Sequence, residues 1–263
     1  MSKIGLKLYS TDYDKYFDEV ISLYQQKVFD YIELYIIPNT TDSIENWKKL
    51  QTLDNTNSAI KIPFMLHAPD HKNKINLSNP ENLDSNIEAY KQVDLFKQEL
   101  SARCTIVSPG TRGSISETAR QLKIINPKNI LIKNNLYRIP SLSYAVGIGA
   151  TVEEIEKFKK EYFCGFCLDI VNAICTANLT SDPPYELIRE FNAFNPIMYR
   201  ISGNNINSTE KQHLHLENAN LDYSIITMVI RNNALITIDS DKSNGSDLND
   251  FKEDVRFLRR FCK

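Results

Sequence analysis

The chain has 263 residues, of which 31 are Lys or Arg and 33 are Asp or Glu. This length can bury a large core, and the nearly balanced charge argues against the basic domain or stripe of a nucleic-acid-binding protein, which leaves only a local basic face for such a partner. The first residues, MSKIGLKLYS, lack the pattern of a secretory signal, no apolar run could span a bilayer, and the five cysteines do not form a disulfide framework, so we expect a cytoplasmic protein without a membrane partner.

Strand and helix patterns alternate along the whole chain. Apolar runs and apolar-polar alternation predict eight strands at 4–9, 31–37, 61–67, 104–108, 129–134, 165–169, 197–202 and 234–239. Helical spacing and capping signals predict helices at 12–28, 43–53, 79–100, 114–125, 151–162, 185–194, 221–231 and 248–261. The polar segment 203–220 is predicted to be a long loop, which in a compact domain is more often functional or mobile than idle.

Eight strands that alternate with helices over about 250 residues are the count and size of a (β/α)8 barrel. We therefore predict an α/β protein, a single (β/α)8 TIM barrel that forms one domain over residues 1–263, since no linker or repeat divides the chain. A doubly wound open sheet is the main alternative, but the turn after the first strand, Ser10-Thr11-Asp12, lacks the glycine-rich pattern of that fold.

The side chains at the carboxyl ends of barrel strands meet at one mouth, where TIM barrels place their active sites. Those positions are occupied in this chain by His67, Ser108, Lys133, Asn134, Asp169, Asn172, Arg200, Ser202 and Asp239. The segment after the fourth strand, SPGTRG at 108–113, combines glycines, hydroxyl groups and Arg112 ahead of a helix, which suits an anion-binding nest. His67 is the central residue of this set, because the buried run before it ends abruptly in a polar loop; a histidine that merely caps the strand is the alternative.

Several of these segments resemble the xylose isomerase-like TIM barrels, and especially their endonuclease IV branch. The stretch HAPDHKNKINLSNPE at 67–81 resembles the H-A-P…N-L stretch of that family, and VSPG at 107–110 is similar to its V-H-P-G. Five further segments fall where the family has its other strand-end motifs, in the same order: LIKNN at 131–135, CLDIVNA at 167–173, YRISGN at 199–204, QHLHLENA at 212–219 and LITIDS at 235–240. The resemblance covers nearly the whole chain.

The resemblance implies a divalent-metal site at the barrel mouth that hydrolyses phosphodiesters or moves a proton between sugar carbons. Four residues match ligand positions of the family in type and are the residual metal candidates: His67, Asp169, His213 and Asp239. Six others depart from the pattern, namely Ser108, Asn172 and Arg200 in place of His, Lys133 in place of the bridging Glu, and Gly203 and Lys211 in place of Asp. Ammonium and guanidinium groups cannot act as metal ligands at neutral pH, so we expect no cofactor and disfavour a bound Zn or Mn ion.

We instead expect Lys133 and Arg200 to supply the positive charge of the site. In this interpretation Arg200 clamps a phosphate or carboxylate, Lys133 holds a substrate oxygen or acts as a general base or Schiff-base amine, and Asp169 or Asp239 moves a proton. His67 is then an acid/base or hydrogen-bonding residue rather than a metal ligand. Five residues complete the expected ligand contacts: Asn134, Asn172, Ser108, Arg112 and His213. The alternative is that Lys133 and Arg200 form structural salt bridges in a barrel that has lost its chemistry.

These observations lead to three functional hypotheses. The leading one is a carbohydrate or sugar-phosphate isomerase or epimerase with a metal-poor pocket that binds a small anionic or polyhydroxylated ligand. The second is an apurinic/apyrimidinic DNA endonuclease of the endonuclease IV type, which the missing ligands and the slightly acidic charge oppose. The third is a barrel that binds a metabolite without turning it over. The sequence does not choose an oligomeric state.

Overall fold

The computed structural model describes residues 2–55, 58–242 and 247–262. Eight parallel strands close a barrel, and helices follow them along the chain. The strands are β1 (Lys3–Tyr9), β2 (Tyr31–Tyr35), β3 (Phe64–His67), β4 (Thr105–Val107), β5 (Ile130–Lys133), β6 (Gly165–Asp169), β7 (Met198–Ile201) and β8 (Leu235–Ile238). Each strand pairs in parallel with its neighbours in chain order, and β1 closes the barrel against β8. The predicted (β/α)8 TIM barrel is therefore confirmed.

Nine α-helices pack around the barrel in the described part of the chain. They are α1 (Tyr13–Gln25), α2 (Ile44–Thr52), α3 (Leu83–Glu99), α4 (Ile115–Ile125), α5 (Val152–Glu161), α6 (Ile170–Thr180), α7 (Pro184–Asn192), α8 (Tyr223–Val229) and α9 (Asn249–Arg259). Their inner faces and the outward faces of the strands form the main core, as in other barrels of this class. None of these helices has the length and apolar character needed to cross a membrane.

Local capping fixes where several helices begin. The Thr151 hydroxyl accepts a hydrogen bond from the backbone N–H of Glu154, and the Glu154 carboxylate accepts bonds from the N–H groups of Gly149 and Ala150. These bonds satisfy three backbone N–H groups around the start of α5 and fix its first residue at Val152.

The structure adds elements that the sequence pattern did not predict. Helix α6 begins directly after β6, and its first eight residues are all buried, so it shows no polar stripe by which an amphipathic helix is recognised. Two short antiparallel hairpins also lie outside the barrel, Leu53–Asn55 with Ser58–Ile60 and Arg138–Ile139 with Ala145–Val146. All five cysteines are free thiols.

Candidate functional site

The barrel interior changes from apolar to charged along its axis. Because side chains alternate along a strand, every second residue of each barrel strand points inward. The inward residues nearest the amino ends of the strands form an apolar cluster: Tyr31, Met65, Ile106, Leu131, Cys167 and Met198. The next inward position along each of these six strands is polar or charged, for example Glu33, His67, Lys133 and Arg200. The charged layer thus begins inside the barrel and opens at the mouth.

Arg200 lies at the centre of the charged layer and is 2% exposed. Its Nη1 donates a hydrogen bond to Asp169 Oδ2 at 3.0 Å. Its Nε lies 3.1 Å from Glu33 Oε1, and its Nη2 lies 2.9 Å from Asp239 Oδ2. One guanidinium therefore connects carboxylates from three different strands, β2, β6 and the end of β8.

Two lysines complete the charge pairing of these carboxylates. Lys211 Nζ donates hydrogen bonds to Asp169 Oδ2 at 2.7 Å and to Asp239 Oδ2 at 2.8 Å. Lys7 Nζ donates to the other oxygen of Asp239 at 2.6 Å. Buried charges are tolerated only when they are paired, and in this network each carboxylate faces at least one cation.

The pKa values follow from this pairing. Burial acts to raise the pKa of Glu33, but Arg200 and the hydrogen bond from His67 outweigh it and lower the pKa to about 2. Burial likewise opposes ionisation of Asp169 and Asp239, yet the cations around them hold both pKa values below the ordinary range. All three carboxylates are therefore ionised at neutral pH, which leaves Asp169 and Asp239 unsuited to release a proton.

His67 is fixed in one tautomer by Glu33. Its Nδ1 lies 2.9 Å from Glu33 Oε1, and because Glu33 is ionised, Nδ1 carries the proton and donates it in this bond. Burial lowers the pKa of His67 to about 4, despite the neighbouring Glu33 carboxylate. The ring is thus neutral, and its Nε2 is a buried atom without a hydrogen-bond partner among the described residues.

Lys133 is the exception in the charged layer. It is 6% exposed at the end of β5, and it has no ion pair or side-chain hydrogen bond with any residue that the structure describes. Burial, and after it the charge of Arg200, lowers the pKa of the Lys133 amine to about 8. Asp169 and Asp70 oppose this shift without contacting the amine. A substantial fraction of the Lys133 side chains is therefore uncharged slightly above neutral pH.

A cleft of about 320 Å³ opens over these residues at the barrel mouth. Its charged lining consists of five cations and three carboxylates: Lys7, Lys72, Lys133, Arg200, Lys211, Asp70, Glu210 and Asp239. Tyr35 also lines it and donates its hydroxyl to Asp70 at 2.9 Å. This volume is that of a site for a small molecule.

The residues present do not fit a divalent metal. Glu33, Asp169 and Asp239 are the nearest carboxylates to a shared centre, but the Arg200 guanidinium and the Lys211 amine occupy the space between them. In the described ranges, no three His, Cys, Asp or Glu side chains are arranged to hold a metal ion. Positive charge from the protein itself thus lies where the sequence resemblance implies a metal ion.

Of the remaining predicted residues, some line the cleft and others support the strands beneath it. Asn134 and Asn172 brace the ends of β5 and β6: Asn134 bonds the backbone N–H and C=O of Asp169, and Asn172 donates to the carbonyl of Asn134. Asn172 also lines the cleft, as does His213, whose Nδ1 lies 2.7 Å from the Asp239 carbonyl oxygen. The Ser108 hydroxyl is buried, and no residue in the described part of the chain bonds to it.

Arg112 does not reach the cleft. It is exposed and donates to the carbonyl oxygen of Leu142. The predicted anion nest around it is occupied by Asn76, whose side-chain oxygen accepts the Thr111 N–H at 2.9 Å. Gly110 has a φ of +121° here, and a Cβ would overlap the Asn76 side chain. The role expected for Arg112 has no geometric support, because the segment is bound to the protein itself.

Sequence reasoning missed Lys7, Glu33, Tyr35 and Asp70 as parts of the site. Lys7 and Glu33 lie within strands rather than at their ends, and the parallel register sets them side by side. The signal was present: a charged residue inside each apolar run, LKL in β1 and IEL in β2, at a position whose parity points it into the barrel.

The chain is similar in fold to several solved structures. A D-tagatose 3-epimerase-like protein matches with a TM-score of 0.73 and 16% identity, over 98% of this chain and 96% of that one. Endonuclease IV from Thermus thermophilus matches with a TM-score of 0.65 and 12% identity, over 98% of both chains. A xylose isomerase domain protein from Planctomyces limnophilus matches with a TM-score of 0.66 and 10% identity, over 99% of this chain and 96% of that one. No family model and no curated protein matches the sequence.

Proposed function

We propose that this barrel is an isomerase or epimerase of a sugar or sugar phosphate, in which Lys133 and His67 act without a divalent metal. Its xylose isomerase-like TIM-barrel fold, shared with the structures above, is compatible with this activity but also with others. The observation that carries the proposal is the Lys133 amine, which is buried and lines the cleft without a partner in the described chain. Buried lysines are normally paired, and an unpaired amine with a lowered pKa in a cleft is typical of a catalytic group.

Proton transfer beside a carbonyl group needs a positive group at the oxygen and a base at the adjacent carbon. In its ammonium form, Lys133 donates hydrogen bonds to the carbonyl oxygen and stabilises the negative charge that develops there. The paired Arg200 cannot do this, because its nitrogens already face three carboxylates. Lys133 therefore supplies the electrophilic role.

His67 suits the role of the base. The unprotonated Nε2 of its neutral ring points away from Glu33. The His67 residue lines the cleft together with Lys133. A base with a pKa near 4 removes a proton only from an activated carbon, so His67 depends on Lys133 to polarise the neighbouring carbonyl.

Two cations that line the cleft, Lys72 and Lys133, can contact an anionic group of a ligand. Lys7, Arg200 and Lys211 are matched by carboxylates, whereas Lys72 and Lys133 have no ion pair within the described residues. Lys72 is exposed at the rim of the cleft and is available to a phosphate or carboxylate at the far end of the ligand. Several hydroxyl and amide groups in the same wall suit the hydroxyl groups of a sugar.

An endonuclease function is less well supported, even though an endonuclease IV shares the fold. Metal-assisted phosphodiester hydrolysis needs ligands that carry free electron pairs, and Arg200 and Lys211 occupy that position. The second alternative is a barrel that binds its ligand without converting it. A measurement of turnover distinguishes this alternative from the proposed enzyme.

Solvent-hydrogen exchange tests the proposal. The protein, treated with a chelator, is incubated in D2O with a panel of aldoses, ketoses and their phosphates, and deuterium incorporation beside the carbonyl is followed by NMR. We expect exchange and isomer formation for a member of the panel with the chelator present. Turnover that requires added Zn²⁺ or Mn²⁺, or chelator-sensitive incision of an abasic duplex, would contradict the proposal.

The variants Lys133→Met and His67→Gln should each abolish exchange. Lys123→Met is the matched control, because Lys123 is an exposed lysine in the last turn of α4, at the opposite end of the barrel. Ligand binding by the wild type without exchange would favour the non-catalytic alternative.

A further inference from the structure

We propose that Lys133 forms a covalent imine with its ligand, which makes the ligand an open-chain aldehyde or ketone that carries an anionic group. This inference deepens the proposed function and rests on it, because it replaces a hydrogen bond from Lys133 to the carbonyl with a covalent bond. The iminium then plays the part that a metal ion plays in polarising a carbonyl.

The amines of the mouth differ in their availability as nucleophiles. Lys211 donates to Asp169 and Asp239, and Lys7 donates to Asp239, so both are held as ammonium groups by direct contact with a carboxylate. Lys72 is exposed to solvent at the rim. Lys133 alone among these lysines combines burial, the absence of a partner in the described chain and a position in the cleft wall.

The groups around Lys133 favour its neutral form. Arg200 on β7 and Lys211 in the loop 203–220 repel its positive charge, and burial adds to this effect. Asp169 on β6 and Asp70 after β3 act in the opposite direction, but they are bound by other donors: Arg200 and Lys211 on Asp169, Tyr35 on Asp70. The neutral His67 on β3 completes the surroundings and supplies no opposite charge.

Imine formation needs only the Lys133 amine and the carbonyl compound, and it releases water. The lone pair of the neutral Nζ attacks the carbonyl carbon, and one amine proton moves to the oxygen to give a carbinolamine. Loss of that oxygen as water, with the second amine proton, leaves the imine, which takes up one proton as the iminium. The iminium acidifies the adjacent C–H bond, so His67 Nε2, a weak base, can accept that proton.

Reductive trapping tests the inference. The protein is incubated with dihydroxyacetone phosphate and cyanoborohydride, and intact-mass and peptide analysis locate the adduct. We expect one adduct, equal to the probe mass less one oxygen atom, on Lys133. At pH 7 a lysine with a pKa near 8 has about three hundred times more free amine than an ordinary surface lysine, so the adduct on Lys133 should form well before one on any such lysine. Lys242 also has a pKa of about 8 but does not line the cleft, so it should not compete for a ligand bound there. The rate of adduct formation on Lys133 should rise with pH and level off above pH 8.

Three controls make the result decisive. Lys133→Arg keeps the charge and removes the nucleophile, so the adduct should disappear, whereas Lys123→Met should leave it unchanged. Unphosphorylated dihydroxyacetone should label Lys133 more slowly if the anionic group guides binding. Equal labelling of Lys133 and surface lysines, with no difference between the two probes, would overturn the inference.

Failure of the imine and failure of the proposed function are distinguishable. Deuterium exchange without a trapped adduct would reject the imine and leave the isomerase proposal intact. A trapped adduct without exchange for any sugar or sugar phosphate would support the imine and reject the isomerase.

Discussion

Arg200 and Lys133 are both buried cations on the inner wall of the barrel, and they differ in what surrounds them. Arg200 is held by carboxylates from three elements, while Lys133 has no partner in the described structure. The sequence predicted both as ligand-binding cations and kept structural salt bridges as the alternative. The geometry supports that alternative for Arg200 but not for Lys133, and this contrast gives opposite predictions for the two residues.

Replacing Lys133 with methionine should stabilise the protein. A buried, unpaired amine loses hydration without gaining a partner, and an apolar side chain of similar length removes this penalty. We expect the free energy of unfolding at pH 7, measured by urea denaturation, to rise by about 1 to 3 kcal/mol. A loss of stability in Lys133→Met would instead identify Lys133 as a structural residue.

Replacing Arg200 with methionine should have the opposite effect. It leaves Glu33, Asp169 and Asp239 close together with only the two lysines to balance them. We expect the free energy of unfolding to fall by about 3 to 5 kcal/mol, the usual cost of leaving buried charges uncompensated. Unchanged urea denaturation in Arg200→Met would show that the network does not hold the barrel together.

At the scale of elements, the sequence predicts the site residues at the strand ends but not those within the strands. The residues that follow the strands, such as Asp169 and Asp239, were found because all barrel strands end at one mouth. Lys7 and Glu33 were missed because a charged residue within an apolar run has no partner until the register sets β1, β2 and β8 side by side. That register depends on closure of the whole barrel, which local pattern does not specify.

The loop 203–220 is a second element whose role becomes clear only in three dimensions. Gly203 and Leu214 exchange backbone hydrogen bonds at 2.7 and 3.0 Å, and this pairing places Lys211 over Asp169 and Asp239. A Cβ at position 203 would overlap the backbone oxygens of Leu214 and His215. Glycine at position 203 therefore allows the loop to close.

Substituting Gly203 with alanine should loosen this loop. The added methyl group pushes the two backbone segments apart, so we expect a loss of about 1 to 3 kcal/mol in the free energy of unfolding and faster amide hydrogen exchange in 203–214. Thr209→Ala, at an exposed position of the same loop, is the control and should change neither quantity. Normal exchange rates in Gly203→Ala would contradict the steric argument.

At the scale of the whole molecule, the barrel stacks an apolar layer beneath a charged one, and this arrangement links stability to pH. Glu33 has a pKa of about 2 in the folded state against 4.5 ordinarily, so its contribution is present above pH 4.5 and is lost as the pH falls towards 2. His67 adds to the same trend, because the unfolded chain takes up its proton near pH 6.5 and the folded chain only near 4.

We therefore expect the free energy of unfolding to fall continuously from about pH 6.5 to about pH 2. Chemical denaturation across this range measures it. Glu33→Gln should reduce the slope between pH 4.5 and 2, while Glu88→Gln, at an exposed position on α3, should not. A free energy of unfolding that does not change with pH in this range would contradict the prediction, because it would mean that the folded and unfolded chains bind protons equally.

The barrel mouth contains a buried amine at Lys133 that has no ion pair with any described residue, and the proposed chemistry depends on this amine. A pH titration of the lysine side chains by NMR, with ¹³C at the ε-carbons, tests this claim most directly. Among the described lysines, Lys133 and Lys242 have a pKa lowered to about 8, and the Lys133→Arg variant assigns the first of these two titrations. Titration of Lys133 near pH 8 with a chelator present is the predicted result. Titration above pH 10, as for an ordinary surface lysine, would contradict the account.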